Sequence, residues 1–183
     1  MSFTPRLNDT GMMNNHIWYS DNPFYISGYG LPNCTCYSWG RFWEVSDSLG
    51  TVQTKPTLPL SNAGSWFEQV DTSVYTKSSL LIPFVGAIIC FSDDDGGAGH
   101  VANVEQVINN GETIVCSNSA WGGDYFYLTT LSKDNNYKYS HFTFQGFIYH
   151  PDYIPFIPTI KKKHHFPWYL ITDKLNNQRI IRK

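Results

Sequence analysis

Charge is scarce in this 183-residue chain: Asp, Glu, Lys and Arg make up 15% of it, against 42% hydrophobic residues. That balance excludes disorder driven by low hydrophobicity and high charge. No Gly-X-Y period and no Ser/Thr/Pro tract is present, which excludes collagen-like and mucin-like chains. No window reaches the ~18 apolar residues that a membrane helix needs. The longest apolar stretch, Leu80 to Phe91, is broken by Pro83 and Gly86, so no membrane span is expected. The opening MSFTPRLNDTGMMNN lacks the basic start and apolar block of a signal peptide. A soluble domain that would need another route for export is the expectation.

Cysteine is sparse as well, and its spacing excludes more than it suggests. Cys34-Thr-Cys36 is C-x-C rather than C-x-x-C and no second close pair follows, which argues against a zinc site. Cys90 and Cys116 sit in the apolar runs GAIICF and TIVCSN, where a free thiol packs as a small hydrophobe. A chain of this length has little need of disulfide staples. All four are read as reduced, which makes a chemically special one worth looking for. Asp93-Asp94-Asp95 lacks the alternating spacing of a calcium loop and reads as a solvated turn. No metal and no cofactor is expected.

What the chain has in quantity is aromatic surface: 12 Tyr, 12 Phe and 6 Trp, 16% of the residues. The length suits one domain of roughly 100–200 residues. Residues 1–160 carry 14 acidic and 6 basic side chains, a balance of −8, whereas the last 23 residues carry 7 basic and 1 acidic, a balance of +6. A cationic tail on an acidic body suggests an anionic partner, with a solvated extension as the plain alternative.

Residues 1–32 are rich in Asn, Gly, Pro and aromatics without helical period and read as irregular. Asn33 is a good helix N-cap, and Cys34, Tyr37, Phe42 and Val45 then share one helical face, although Gly40 weakens such a helix. Asn62 to Val70 predicts a short second helix. Beyond it the patterns are those of strands: Val85–Phe91, His100–Ile108, Thr113–Cys116, Tyr125–Thr130 and Phe142–Tyr149, with Asn109-Asn110-Gly111 as a hairpin turn. Helices first and antiparallel strands afterwards is the α+β pattern. On this reading Glu105 is a solvent-facing strand residue, while Trp39, Trp43 and Trp66 belong to the core.

One Cys at a helix start and one His at a strand start carry the chemical signal. Cys34 in a first helical turn meets unpaired backbone N–H groups and the positive end of the helix dipole, which also suit an oxyanion. His100 follows GGAG and projects from the rim of a sheet. A thiolate–imidazolium pair brings a cysteine pKa from ~8.5 to as low as ~4, and a third polar group must orient the ring. The strand ending in Cys116-Ser117-Asn118-Ser119 offers Asn118 for that task. From spacing alone Cys34 as a packing thiol, His100 as a loop histidine and Asn118 as a turn cap remain open. Trp121, beside Gly122 and Gly123, suits the wall of a substrate groove.

LPNCTCYSWGRF, NAGSWF, PFVGAIICF, GHVANVEQV, SNSAWGG and FQGFIY, in that order, resemble the CHAP domains (cysteine, histidine-dependent amidohydrolases/peptidases) of phage lysins and bacterial wall hydrolases. The resemblance covers roughly residues 23–151. It implies a papain-like fold, N-terminal helices packed on an antiparallel sheet, with residues 1–22 as an irregular lead and 152–183 as a basic, aromatic extension. The implied activity is cysteine-dependent cleavage of an amide bond in peptidoglycan, as an endopeptidase or an N-acetylmuramoyl-L-alanine amidase. The family's nucleophile falls on Cys34, its base on His100 and its orienting residue on Asn118. Cys36 stands where an aromatic is frequent, and Cys116 where many members have an acid. Asn33 is expected at the oxyanion and Trp121 at the substrate. A non-catalytic virion or tail component that binds wall glycan is the alternative. The expected partner is peptidoglycan, with teichoic acid or another phage protein at the tail and no nucleic acid. The expected location is a phage virion or tail, or the host cytoplasm before release to the wall.

Overall fold

The structure, a computed structural model, describes residues 3–48 and 54–151. The basic C-terminal extension, and with it the expected contact to teichoic acid or a phage partner, lies outside the described residues.

Among the described residues three α-helices precede six strands. Helix α1 is a single turn, Pro23–Ile26, and α2 spans Cys34–Ser48. Helix α3 is Trp66–Gln69, entered through a 3-10 turn at Ala63–Ser65. The strands are β1 (Lys77–Ser78), β2 (Ile88–Asp93), β3 (His100–Ile108), β4 (Thr113–Asn118), β5 (Tyr127–Ser132) and β6 (Phe142–Ile148). They form one antiparallel sheet in the order β1-β6-β2-β3-β4-β5. The α+β architecture expected from the pattern is the one observed, and no helix among the described residues is long and apolar enough to cross a membrane.

Helix α2 begins where it does because Asn33 caps it. Its Oδ1 accepts from the backbone N–H of Thr35 (2.8 Å) and Cys36 (3.4 Å), an arrangement worth about 1 kcal/mol. The helix is enclosed rather than laid on a surface: Cys36, Tyr37, Trp39, Phe42, Trp43 and Val45 are all buried. Trp39 and Trp43, like Trp66 of α3, join the core cluster that also takes Ile88, Cys90 and Val101 from the sheet. Gly40, costly for helix propensity, has a packing reason. A Cβ there would lie 2.5 Å from the six-membered ring of Trp18.

Trp18 belongs to the segment before α1, which has turns rather than regular elements yet supplies Met12, Ile17 and Trp18 to the same core. Its Phe3 N–H bonds the Glu105 carbonyl at 2.9 Å, fastening it to β3. The other sheet face closes its own core from Ile89, Phe91, Ala102, Val104, Ile114 and Phe147, among others. The β3–β4 turn is at Asn109–Gly111, with all three residues in the left-handed region.

Glu105 departs from the expectation. It is fully buried, not solvent-facing. The β3–β4 register slips between Val104 and Gln106, so Glu105 sits in an irregularity of the ladder. Its carboxylate takes Arg41 Nε at 2.8 Å, Arg41 Nη2 at 2.9 Å and Ser117 Oγ at 2.6 Å. Strand alternation signals the side of the sheet but not a partner waiting on the helix.

Candidate active site

The cap of α2 places Cys34 as the first helical residue. The Asn33 N–H donates to Ser119 Oγ at 3.0 Å, which ties the cap to the chain just after β4. Cys34 is partly exposed, whereas the other three cysteines are buried, and all four are unpaired. Burial pushes the Cys34 thiol up to about 11, against backbone amides of Val101, Thr35 and Cys34 itself that favour the thiolate.

His100 opens β3, directly after Gly99. That glycine has φ of +75°, and a Cβ on it would come within 2.4 Å of Gly64 Cα and 2.6 Å of the Phe91 carbonyl oxygen. Only glycine lets the loop turn here, and so deliver the imidazole at the head of the strand. Phe142 stacks on the ring with centroids 5.5 Å apart, and Tyr139 packs against it at 5.6 Å. Burial in this aromatic setting lowers the His100 pKa to about 4, against a hydrogen bond to Asn118 that raises it.

Asn118 fixes the tautomer. Its Nδ2 donates to the Cys116 carbonyl and to Thr129 Oγ1, both at 3.0 Å, so its Oδ1 must be the atom 2.9 Å from His100 Nε2. An amide oxygen accepts, hence Nε2 carries the proton and Nδ1 is the basic nitrogen of the neutral ring. No hydrogen bond engages Nδ1 among the described residues, and none joins it to the Cys34 thiol. The sequence reading expects a thiolate–imidazolium pair already formed at rest. The structure instead holds both groups neutral, because loss of water outweighs the helix-terminal amides at the sulfur and Asn118 at the ring.

Cys34, His100, Asn33 and Trp121 all line one groove of about 790 Å3. Asn118 lies behind it, buried, in contact with the ring rather than with the groove. Trp121 is 67% exposed and packs 6.0 Å from Tyr29 at the groove's edge. The Asn33 Oδ1 is committed to the cap, which leaves Nδ2 as the atom without a partner among the described residues. The arrangement offers a groove-lining cysteine, a basic nitrogen and amide donors around one space, the set that acyl transfer requires.

Sequence reasoning missed Ser119, Tyr127, Tyr139 and Phe142. Ser119 had a signal in the Ser-Asn-Ser run. The aromatic residues had none beyond their abundance, because β5, the β5–β6 connection and the start of β6 reach the groove only through the sheet topology. The acidic turn behaves as a turn: Asp93 Oδ1 accepts from the Asp95 N–H at 2.8 Å, and Asp94 pairs with Lys138 at 2.7 Å. Asp93, Asp95 and His141 do bring one ligand atom each within 4.8 Å of one another, with Asp95 and His141 exposed.

Comparison with known proteins places these features in a family. The family model for the CHAP domain matches residues 24–120, more than half of the chain and inclusive of Cys34, His100 and Asn118. The crystal structure of Ly7917 is similar at 21% identity and a TM-score of 0.46, covering 67% of this chain and 55% of that one. The chain therefore spans about half the length of that protein. No curated protein matches it.

Proposed function

The chain belongs to the CHAP domain family, which points to peptidoglycan hydrolase or amidase activity, and on that premise we propose that it cleaves a wall-peptide amide bond through Cys34. The observation that carries the reading is a partly exposed cysteine at the start of α2 lining the same groove as an imidazole whose Nε2 is held and whose Nδ1 has no partner among the described residues.

In the proposed cycle the thiol proton passes to His100 Nδ1 as sulfur attacks the substrate carbonyl. Because both groups rest neutral, the charge separation develops during attack instead of being stored beforehand. The backbone N–H of Cys34 and Asn33 Nδ2 receive the oxyanion, and Asn118 steadies the imidazolium through Nε2. The carbon–nitrogen bond breaks as His100 returns its proton to the leaving amine, leaving a thioester on Cys34. His100 then takes a proton from water, the hydroxide displaces sulfur, and the thiol is restored. Trp121 and Tyr29 offer flat apolar surface along the peptide's path. A phage lysin is the biological setting we infer, supported by the resemblance to the CHAP domains found in such enzymes.

Digestion of purified sacculi followed by mass analysis of the soluble fragments tests this function. New amine and carboxylate ends at a peptide or lactyl amide bond are expected. Fragments carrying only new reducing sugar ends, or wall binding with no new ends at all, would overturn it.

A further inference from the structure

We propose that Tyr127 is a further catalytic residue of the groove. Its phenol O–H donates to the substrate carbonyl oxygen while that oxygen gains charge under attack by Cys34. The inference rests on the hydrolase reading above and adds one group to the same site. Tyr127 opens β5 and lines the groove together with Cys34, His100 and Tyr139. Both tyrosines fall outside residues 24–120, so neither belongs to the part of the chain that matches the family.

The sheet aims the side chain. Tyr127 is the register partner of Asn118 in the β4–β5 ladder. Residues opposite one another in such a ladder share a face, with Cβ atoms about 5 Å apart. Thr129, two residues on and so on that face as well, accepts from Asn118 Nδ2 at 3.0 Å. Strand β5 therefore turns Tyr127 to the side on which Asn118 holds His100. The far end of the ring is fixed by the second tyrosine. Tyr139 packs 5.6 Å from the His100 ring and donates its hydroxyl to that of Tyr127 at 3.4 Å. The Tyr127 oxygen thus sits next to a residue that touches the imidazole.

Tyr127 accepts in that bond, and its own O–H has no acceptor among the described residues. Burial, the Tyr139 hydroxyl and, after them, the charge of a Cys34 thiolate all push the Tyr127 phenol up. Two consequences follow from that. The phenol keeps its proton throughout the working range, so it is a donor that never ionises. It also lies within electrostatic reach of the sulfur, yet no hydrogen bond joins the two among the described residues, which leaves the space between them to the substrate. Of the atoms that react at Cys34, the leaving nitrogen is served by His100, whereas the carbonyl oxygen gains negative charge. A fixed neutral donor acts most strongly on such an oxygen, and accepting from Tyr139 polarises the Tyr127 O–H further. The Cys34 N–H and Asn33 Nδ2 come from α2 and its cap, and Tyr127 adds a donor from the sheet.

The test compares the full-length parent with Tyr127→Phe, which keeps the ring and loses the hydroxyl. On solubilised wall fragments kcat is expected to fall about 100-fold, with KM changed by less than about twofold. Alkylation by iodoacetamide develops no oxyanion, and its rate at Cys34 against pH should be the same in both proteins. The other three cysteines are buried, so alkylation reads Cys34. Parental kcat, a change in KM alone, or equal losses of hydrolysis and alkylation would each overturn the proposal. A short peptide aldehyde reads the same donor without any wall. It adds to the thiol as a hemithioacetal, forming the sulfur–carbon bond while the thiol proton passes to the aldehyde oxygen. Its affinity, measured as protection of Cys34 from iodoacetamide, should weaken about tenfold in Tyr127→Phe. If the parent leaves the fragments intact but the aldehyde shows that loss, the hydrolase reading fails and the donor stands. Equal aldehyde affinity in the two proteins overturns the donor, whatever the parent does to walls.

Discussion

Two buried polar clusters join the same helix to the same pair of strands, and they use their atoms in opposite ways. In one, Glu105 of β3 accepts from both Arg41 of α2 and Ser117 of β4. In the other, Cys34 of α2 faces the groove beside His100 of β3, which Asn118 of β4 holds. Cys34 and Arg41 are seven residues, about two turns, apart, so they lie near one line along the helix.

The Arg41 cluster is closed. Every carboxylate oxygen of Glu105 has a donor, and Arg41 also binds Glu44 at 2.6 Å and the Thr4 carbonyl at 2.8 Å. Its partners raise the Arg41 pKa despite burial and so keep the guanidinium charged. The Cys34 cluster is left open: its acid and its base both rest neutral, with an Nδ1 unengaged among the described residues and a cysteine that lines the groove. Depth of burial is similar in the two, since His100 is 5% exposed and Arg41 6%. Burial therefore does not mark chemistry here; hydrogen-bonding capacity left unused next to solvent does.

The largest effect on that comparison is expected from breaking the closed cluster. Glu105→Ala leaves a buried guanidinium uncompensated and should cost about 3–5 kcal/mol in urea unfolding, whereas the double replacement Arg41→Met with Glu105→Leu should recover most of the loss. A single variant as stable as the parent would show that the pair is not the structural partner of the site.

Protonation probes the open cluster. The folded chain holds His100 at about 4, while the unfolded chain takes up the same proton near 6.5. Stability is thus unaffected by this group above pH 6.5 and declines as pH falls from there towards 4, by about 3 kcal/mol in all. His100→Gln should flatten that decline in denaturant midpoints measured against pH. Wall hydrolysis should persist to about pH 5 and fail near 4, where Nδ1 can no longer accept the thiol proton. An acid limb at 6.5 would mean that the ring is solvated.

Smaller again is the loss expected on freeing the ring. Asn118→Ala removes the acceptor that fixes Nε2, and should lower kcat by about 100-fold with KM little changed. Its acid limb should also move to lower pH, because the lost hydrogen bond favoured the imidazolium. A change in KM alone would make Asn118 a substrate contact rather than a positioning residue. Trp121→Ala should raise KM only several-fold, about 1 kcal/mol, since the ring is exposed at the groove's edge. No change would remove Trp121 from the substrate's path.

The sequence carried the open cluster better than the closed one. Asn33 announced its cap, and the loop GGAG announced a strand beginning at His100. Asn118 stood out because its strand follows that of His100. Glu105 was illegible because the slip in the β3–β4 register, which sets it against Arg41, leaves no mark on the alternating pattern. Nor could spacing show that Phe142 and Tyr139 would dry the imidazole, since they reach it only through sheet neighbours distant in sequence. That same drying reverses the expected charge state of the pair. Helix α1 had a readable sign in Asn22-Pro23, where the cap side chain accepts from Phe24 and Tyr25. It was obscured by the Asn, Gly and Pro around it.

The central claim is that sulfur at Cys34 makes and breaks the bond to the substrate carbonyl. Its most direct test is the initial rate at which new amino groups appear from purified sacculi at neutral pH, for the parent and for Cys34→Ala at matched folded concentration. A loss of at least about 10⁴-fold in the variant is predicted. Equal rates in the two proteins would contradict the account.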